Sequence, residues 1–294
     1  MAPIQVSMRA AAATLAVLGL LVPFFTEGAS ASSAGNPEVA ALQVGLRAHG
    51  FYAGTVDGVL GPGTEQAVMR FQRRAGLPPT GVIGPSTRKA FGRYGRRSPL
   101  GGRDLAIGSR GWDVAALQFA LAWHGFPSAA FNGVLGAHTD TALRKFQVWA
   151  GLTPDGVAGP STYAALRAPV PRAPFRLLIP LAGPLGDLFG PRGNRFHAGI
   201  DIPAPKGTPV GAASPGRVVF AAPAAGFGKL VVVEHRDGVR TRYAHLSRIE
   251  VRFGQYVKAR ATVGLVGATG EAAGPHLHFE VLVRGANVDP LSAL

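Results

Sequence analysis

The sequence predicts a multidomain α+β protein: two small three-helix modules followed by a mostly antiparallel β-sheet domain. Three observations carry this. A block of short motifs recurs at a constant offset of 75 residues. The apolar period changes from helical spacing to strand alternation in the last 120 residues or so. Two segments rich in Gly, Pro and Arg separate the parts.

The repeat is read first. Leu42-Gln43 recurs as Leu117-Gln118, and His49-Gly50-Phe51 as His124-Gly125-Phe126. Asp57-Gly58 recurs as Asn132-Gly133, Phe71-Gln72 as Phe146-Gln147, and Gly84-Pro85-Ser86-Thr87 as Gly159-Pro160-Ser161-Thr162. No insertion separates the copies, which occupy 36–92 and 107–167. In the first copy Val39, Leu42 and Leu46 share one helical face, and Gly50 stops that helix. Thr64 leads a second helix with Ala67, Val68 and Phe71 inward, ended by Gly76. Pro85 fits the first turn of a third. Leu42, Phe71 and Val82 are expected in the core. His49 and His124 occupy matching positions, which suggests packing, and His138 lies in the repeat too. Residues 93–106 form a basic, glycine-rich linker. Residues 168–174 form a proline-rich, semi-extended one.

Ahead of the repeat, residues 1–31 read as a secretory signal. Arg9 is followed by an apolar run, Ala10 to Phe25, and then by Ala29-Ser30-Ala31, an A-x-A cleavage site. The run is shorter than the ~20 residues that span a bilayer, so cleavage with no stable membrane anchor is expected. Cysteine is absent, which excludes a disulfide framework. The net charge of +14 implies an acidic or polyanionic neighbourhood. The basic residues are scattered through turns and linkers without a nucleic-acid motif, so no nucleic-acid partner is expected.

Residues 175–294 form the β domain. Arg217–Phe220, Leu230–Glu234 and Val239–Tyr243 read as strands between Gly-containing turns. The run His276-Leu277-His278-Phe279-Glu280 alternates. Its two histidines therefore share one face, while Leu277 and Phe279 point into a core. Two adjacent imidazoles suit a metal. Of the eight histidines, His235 lies in a polar turn, and His197 and His245 remain as partners. His197 precedes Asp201 by four residues. Pro191, Gly193, Gly199 and Pro203 argue for a loop entering a strand there, not a helix. Histidines in three places plus one carboxylate suit a catalytic zinc with an open position and further groups to handle protons. Glu280 shares the histidine face, either as a partner to a histidine or as a solvated edge residue.

These blocks carry a resemblance. Phe189-Gly190-Pro191-Arg192…His197-Ala198-Gly199-Ile200-Asp201, Tyr243-Ala244-His245-Leu246 and His276-Leu277-His278-Phe279-Glu280 resemble the lysostaphin-type (LytM-like) zinc endopeptidases of bacterial cell walls. The resemblance spans roughly Pro174 to Leu294. It implies that His197, Asp201 and His278 hold zinc, and that His245 and His276 are catalytic without being ligands. Arg192 is a candidate for a substrate carboxylate. Arg260 stands where that family commonly has Gly. The repeats resemble the peptidoglycan-binding module of wall hydrolases, with Asp57, Gly58, Asn132 and Gly133 as candidate wall-binding residues.

The expected function is a secreted zinc-dependent endopeptidase of the cell wall or periplasm, cutting peptide cross-links of peptidoglycan. Peptidoglycan is the expected partner, with anionic wall polymers as a further one. The alternative is a non-catalytic wall-binding protein or hydrolase activator. The repeats are expected to target the enzyme, leaving the domain from Pro174 competent alone.

Overall fold

A computed structural model describes residues 34–92, 95 and 99–294; the expected signal and part of the first linker lie outside the described residues. Among the described residues six α-helices come first: α1 (Pro37–Ala48), α2 (Pro62–Arg74), α3 (Pro85–Ala90), α4 (Trp112–Trp123), α5 (Ala137–Trp149) and α6 (Pro160–Ala165). Twelve strands follow. The first six are β1 (Gly190–Arg192), β2 (Arg195–His197), β3 (Ile200–Pro203), β4 (Pro209–Gly211), β5 (Gly216–Ala224) and β6 (Gly228–Glu234). The rest are β7 (Val239–Leu246), β8 (Arg248–Ile249), β9 (Tyr256–Val257), β10 (Thr262–Leu265), β11 (His276–Val283) and β12 (Ala286–Val288). Among the described residues no helix is long and apolar enough to cross a membrane.

Each module is tied by two buried glutamine knots, which explain the Leu-Gln and Phe-Gln motifs. Gln43 Nε2 donates to Asp57 Oδ1 (2.7 Å), Val59 O (3.1 Å) and Thr64 Oγ1 (3.1 Å), and its Oε1 accepts from Gly58 N–H. Gln118 repeats this with Asn132 Oδ1, Val134 O, Thr139 Oγ1 and Gly133 N–H. Gln72 and Gln147 form the second knot, on Val82 O and Thr87 and on Val157 O and Thr162. A buried amide left unpaired costs about 1–3 kcal/mol, so the glutamine and its turn must be kept together. Asn132 offers the same acceptor as Asp57, so its substitution leaves the knot intact.

Two expectations are corrected here. Val82 is 68% exposed, not core, because its backbone carbonyl rather than its side chain is what Gln72 holds. The second helix opens at Pro62, placing Thr64 in its first turn. Leu42 and Phe71 are buried as expected.

The modules do not hang on linkers. Every residue of α4 is buried, since it packs on α1 along one side and on the β domain at its end. Trp123 stands edge-on to Phe189 and Phe196, at ring distances of 6.1 and 5.3 Å. The tip of the β1–β2 hairpin lies against both modules. Val56 N–H donates to Gly193 O (2.8 Å) and Phe131 N–H to Asn194 O (2.7 Å). Val56 and Phe131 are equivalent positions of the repeat, so the duplication grips two successive carbonyls.

The main sheet is antiparallel, in the order β12-β11-β7-β6-β5-β9, and β3 pairs with the start of β11. β4, β10 and β8 form a second small sheet. The core face carries Leu277, Phe279, Val281, Tyr243, Val231 and Val233, all fully buried. The predicted strands are present and longer than expected. Arg260 adopts a left-handed φ of 65°, the conformation that glycine takes without strain.

Candidate metal centre

Three strands bring the site together. β2 ends on His197, β3 carries Asp201, and β11 carries His276 and His278. The β3–β11 register sets Asp201 directly opposite His278. Gly199 permits this approach, because a Cβ there would lie 2.3 Å from Phe279 O. His197 Nε2, Asp201 Oδ1 and His278 Nδ1 converge at separations of 3.0, 3.2 and 2.8 Å. Tetrahedral zinc with ligands at about 2.1 Å requires its donors about 3.4 Å apart. The chemistry fits too: two imidazoles and a carboxylate form a candidate metal site.

The ring nitrogens are assigned by their partners. His197 Nδ1 lies 2.9 Å from Leu188 O. A carbonyl only accepts, so Nδ1 holds the proton and Nε2 is free to coordinate. His278 Nε2 lies 3.1 Å from Glu280 Oε1, which leaves Nδ1 toward the site. His245 Nδ1 donates to Thr269 O (2.8 Å) and His276 Nδ1 to Gly274 O (2.8 Å), so each keeps Nε2 free. The His245 and His276 rings lie 4.8 Å apart, beside the ligand set rather than in it. His245 holds a left-handed φ of 61°, a strained backbone of the kind found at functional sites.

Charge is distributed to match. Burial raises the Asp201 carboxyl, but hydrogen bonds from His197 and His278 outweigh it and hold it well below the usual range. Burial lowers His278, yet Asp201 and Glu280 lift it to about 9. Burial pushes His245 below the ordinary histidine range. Glu280 is fully buried and stays ionised, because His278 and Arg242 outweigh its desolvation.

The sequence residues land as follows. His197, Asp201, His245, His276 and His278 all line one pocket of about 680 Å³. Arg192 stands at its rim, paired with Asp187 at 2.7 Å and 3.6 Å from Asp201 Oδ2. Asp57, Gly58, Asn132 and Gly133 lie in the modules, within the glutamine knots. Glu280 is the partner of His278, not an edge residue, and is itself held by Arg242 Nη1 (2.8 Å) and Asn287 Nδ2 (3.0 Å). Sequence reading missed Arg242, Asn287 and Thr269. Only the strand alternation, which puts Glu280 on the histidine face, pointed toward that network.

Residues 195–290 match the family model described as "Peptidase family M23". Residues 35–91 and 110–166 each match the one described as "Putative peptidoglycan binding domain". Over 98 residues the chain is 44% identical to the DD-carboxypeptidase/endopeptidase Mpg of Neisseria meningitidis serogroup B, covering 33% of this chain and 23% of that protein. Over 97 residues it is 44% identical to the peptidoglycan DD-endopeptidase ShyB of Vibrio cholerae, again covering 33% and 23%. The catalytic domain of lysostaphin from Staphylococcus simulans aligns at 35% identity and a TM-score of 0.35, covering 37% of this chain and 90% of that one. The chain thus spans about 23% of the length of the two curated relatives. Its C-terminal domain belongs to peptidase family M23, behind two domains of the peptidoglycan-binding family.

Proposed function

We propose that the chain is a zinc-dependent endopeptidase that hydrolyses peptide cross-links of bacterial peptidoglycan in the wall or periplasmic space. One observation carries the reading: three donor atoms converge within 3.2 Å while two further histidines present free Nε2 atoms to the same pocket. That is a ligand set plus proton carriers. A non-catalytic activator has no need for all five.

His197, Asp201 and His278 would hold the ion. Bound zinc supplies Lewis acidity, polarising a carbonyl and bringing the pKa of water to about 7. His245 is kept neutral by burial and fixed by Thr269 O, so its Nε2 accepts the proton of the attacking water. His245 returns that proton from Nε2 to the leaving amine, and His276, whose Nδ1 is oriented by Gly274 O, hydrogen-bonds the developing oxyanion when its Nε2 carries a proton as well. Arg192, at the rim, faces a substrate carboxylate.

The modules would give the wall contact. In the first, a groove of about 360 Å³ is bordered by Leu60, Met69, Val82 and Trp112. Asp57-Gly58 and Asn132-Gly133 serve this contact by shaping the turns that present the module surface. Purified protein should solubilise peptidoglycan, lose that activity to a chelator and regain it with zinc. His278→Ala should bind no stoichiometric zinc and release no peptide. A His278→Ala protein that retains full zinc and activity removes the assignment.

A further inference from the structure

A cleft larger than the metal pocket, of about 880 Å³, lies between the second module and the outer face of the sheet. A second hollow of about 470 Å³ extends it, sharing Phe126, Lys145, Arg242 and Leu282. Neither hollow is lined by any Asp or Glu, although both are rich in Arg and Lys. Three of those cations, Lys145, Arg195 and Arg284, have no carboxylate partner among the described residues. Arg144, Arg240 and Arg242 do, on Asp140, Glu234 and Glu280.

Two details mark this cleft as built for a ligand. The first is a sequence difference between the copies. At the positions of Arg73 and Arg74 in the first module, the second has Val148 and Trp149. Both line the cleft, and Val148 is 64% exposed. The second is Arg284. It occupies a two-residue hairpin turn between β11 and β12, with φ of 50° at Arg284 and 92° at Gly285. Such a turn favours Asn-Gly, and a long side chain at the first position is strained. The Arg284 guanidinium lies over the Trp149 ring, 5.5 Å from its centre.

The cleft and the metal pocket are neighbours, with Phe227 lining both. Along β11 the floor runs from His278 to Leu282, four residues or about 13 Å at strand rise. An extended chain seated at the metal therefore reaches it.

Resting on the function proposed above, we infer that this cleft is a second substrate subsite. It would take the stem peptide and glycan attached to the scissile cross-link, with the stem peptide carrying the carboxylates. Lys145, Arg195 and Arg284 receive carboxylates, and Trp149 and Phe220 receive the apolar faces of sugar rings. The second module would then contribute to substrate recognition directly.

The test compares Lys145→Ala/Arg284→Asn with the full-length wild type on two substrates. One is a soluble cross-linked disaccharide-peptide dimer; the other is a short end-blocked peptide carrying the same bond. Asn suits the turn, so the variant's Tm should hold or rise. Its KM for the dimer should increase about tenfold, and its preference for the dimer over the short peptide should fall by the same factor. Binding of the dimer to metal-free protein, followed by calorimetry, should weaken in parallel and lose part of its salt dependence. Equal dimer binding by variant and wild type overturns the subsite. So does an equal loss on both substrates, which marks a structural role. A phosphodiester polymer binding there in place of the dimer overturns it too. Wild type that binds the dimer in the cleft but cuts neither substrate removes the proposed reaction and leaves the subsite standing.

Discussion

The two modules share one design and have been put to different uses. Both are tied by the same glutamine knots, and both end their first helix on a glycine at positive φ. Their surfaces diverge. In the first module Leu60 is 51% exposed, and a Cβ at Gly81 would meet only ordinary contacts, Met69 at 3.6 Å and Glu65 at 3.9 Å. In the second, Arg144 replaces Met69 and closes the groove by bonding Asp140 and Pro154 O. Leu135, the counterpart of Leu60, is fully buried under Gly108 and Ser109, whose backbone pairs with its own. The same divergence appears at the helix ends. A Cβ on Gly50 would meet nothing, while one on Gly125 would lie 2.4 Å from Asn287 O. One copy has kept an open face. The other has become an adaptor that locks onto the catalytic domain.

The largest effect should come from removing the adaptor. A chain beginning at Pro174 exposes Phe189 and Phe196, which flank the hairpin that ends on His197. Re-exposing the buried Phe189 ring costs about 1.5–3 kcal/mol, and the partly buried Phe196 ring adds less. That chain should bind zinc at least tenfold more weakly and melt lower. Removing only residues 1–92 leaves Trp123 in place and should weaken zinc less. Competition with a chromogenic chelator measures both. Equal zinc affinity in all three chains would restore the view of the modules as tethers.

Next come the paired leucines. Leu135→Ala should cost about 2–5 kcal/mol of stability, as large-to-small changes in a packed core do. Leu60→Ala should stay within about 0.5 kcal/mol of wild type, as exposed positions do. Its effect should appear instead as reduced sedimentation with insoluble wall. Denaturant melts beside a pull-down compare them directly. Stability losses of similar size would erase the distinction between open and closed faces.

Much of this was legible in the sequence, and what was missed has physical reasons. The constant offset, Gly50, Gly76 and Pro85 gave the helices, since each acts locally on backbone conformation. The His276-x-His278 alternation pointed to the site, and the resemblance named the three residues whose donor atoms the structure brings together. The docking was not read, although the sequence carries its signal. Trp112–Trp123 is apolar on nearly every side, with only Asp113 and Gln118 polar, and such a helix is buried all round. Several strands were missed because β1, β2, β4, β8 and β9 are two or three residues long, too short to show alternation. Val82 was misplaced because β-branched character says nothing about whether a turn points its side chain outward. The Glu280–Arg242–Asn287 network joins strands distant in sequence, and only the sheet register brings them together.

The paired glycines give the next contrast. Gly50→Ala carries only the strain of a non-glycine residue at positive φ, about 1 kcal/mol. Gly125→Ala carries the same strain and also pushes the backbone of Asn287 away. It should destabilise by clearly more, read by the same denaturant melts. Equal losses would mean that the Gly125–Asn287 contact is slack.

The smallest effect is the most specific, because it asks whether the adaptor reaches the metal site through charge. Asn287 links Gly125 to Glu280 by its backbone and its side chain, and Glu280 holds the proton on His278. With His278 lifted to about 9, metal must expel its Nδ1 proton at any lower pH. Zinc affinity should therefore climb about tenfold per pH unit toward 9 from this residue alone, and lose that dependence above it. Moving Asn287 loosens Glu280, which weakens its pull on the His278 proton and lowers that pKa. In Gly125→Ala the break in the affinity profile should thus fall below 9, leaving a shallower gain between neutral pH and 9. Gly50→Ala has no such path and should keep the wild-type break. Chelator competition across pH 6 to 10 resolves the three profiles. Superimposable breaks would show that the second module holds the hairpin mechanically and has no electrostatic hand on the metal site.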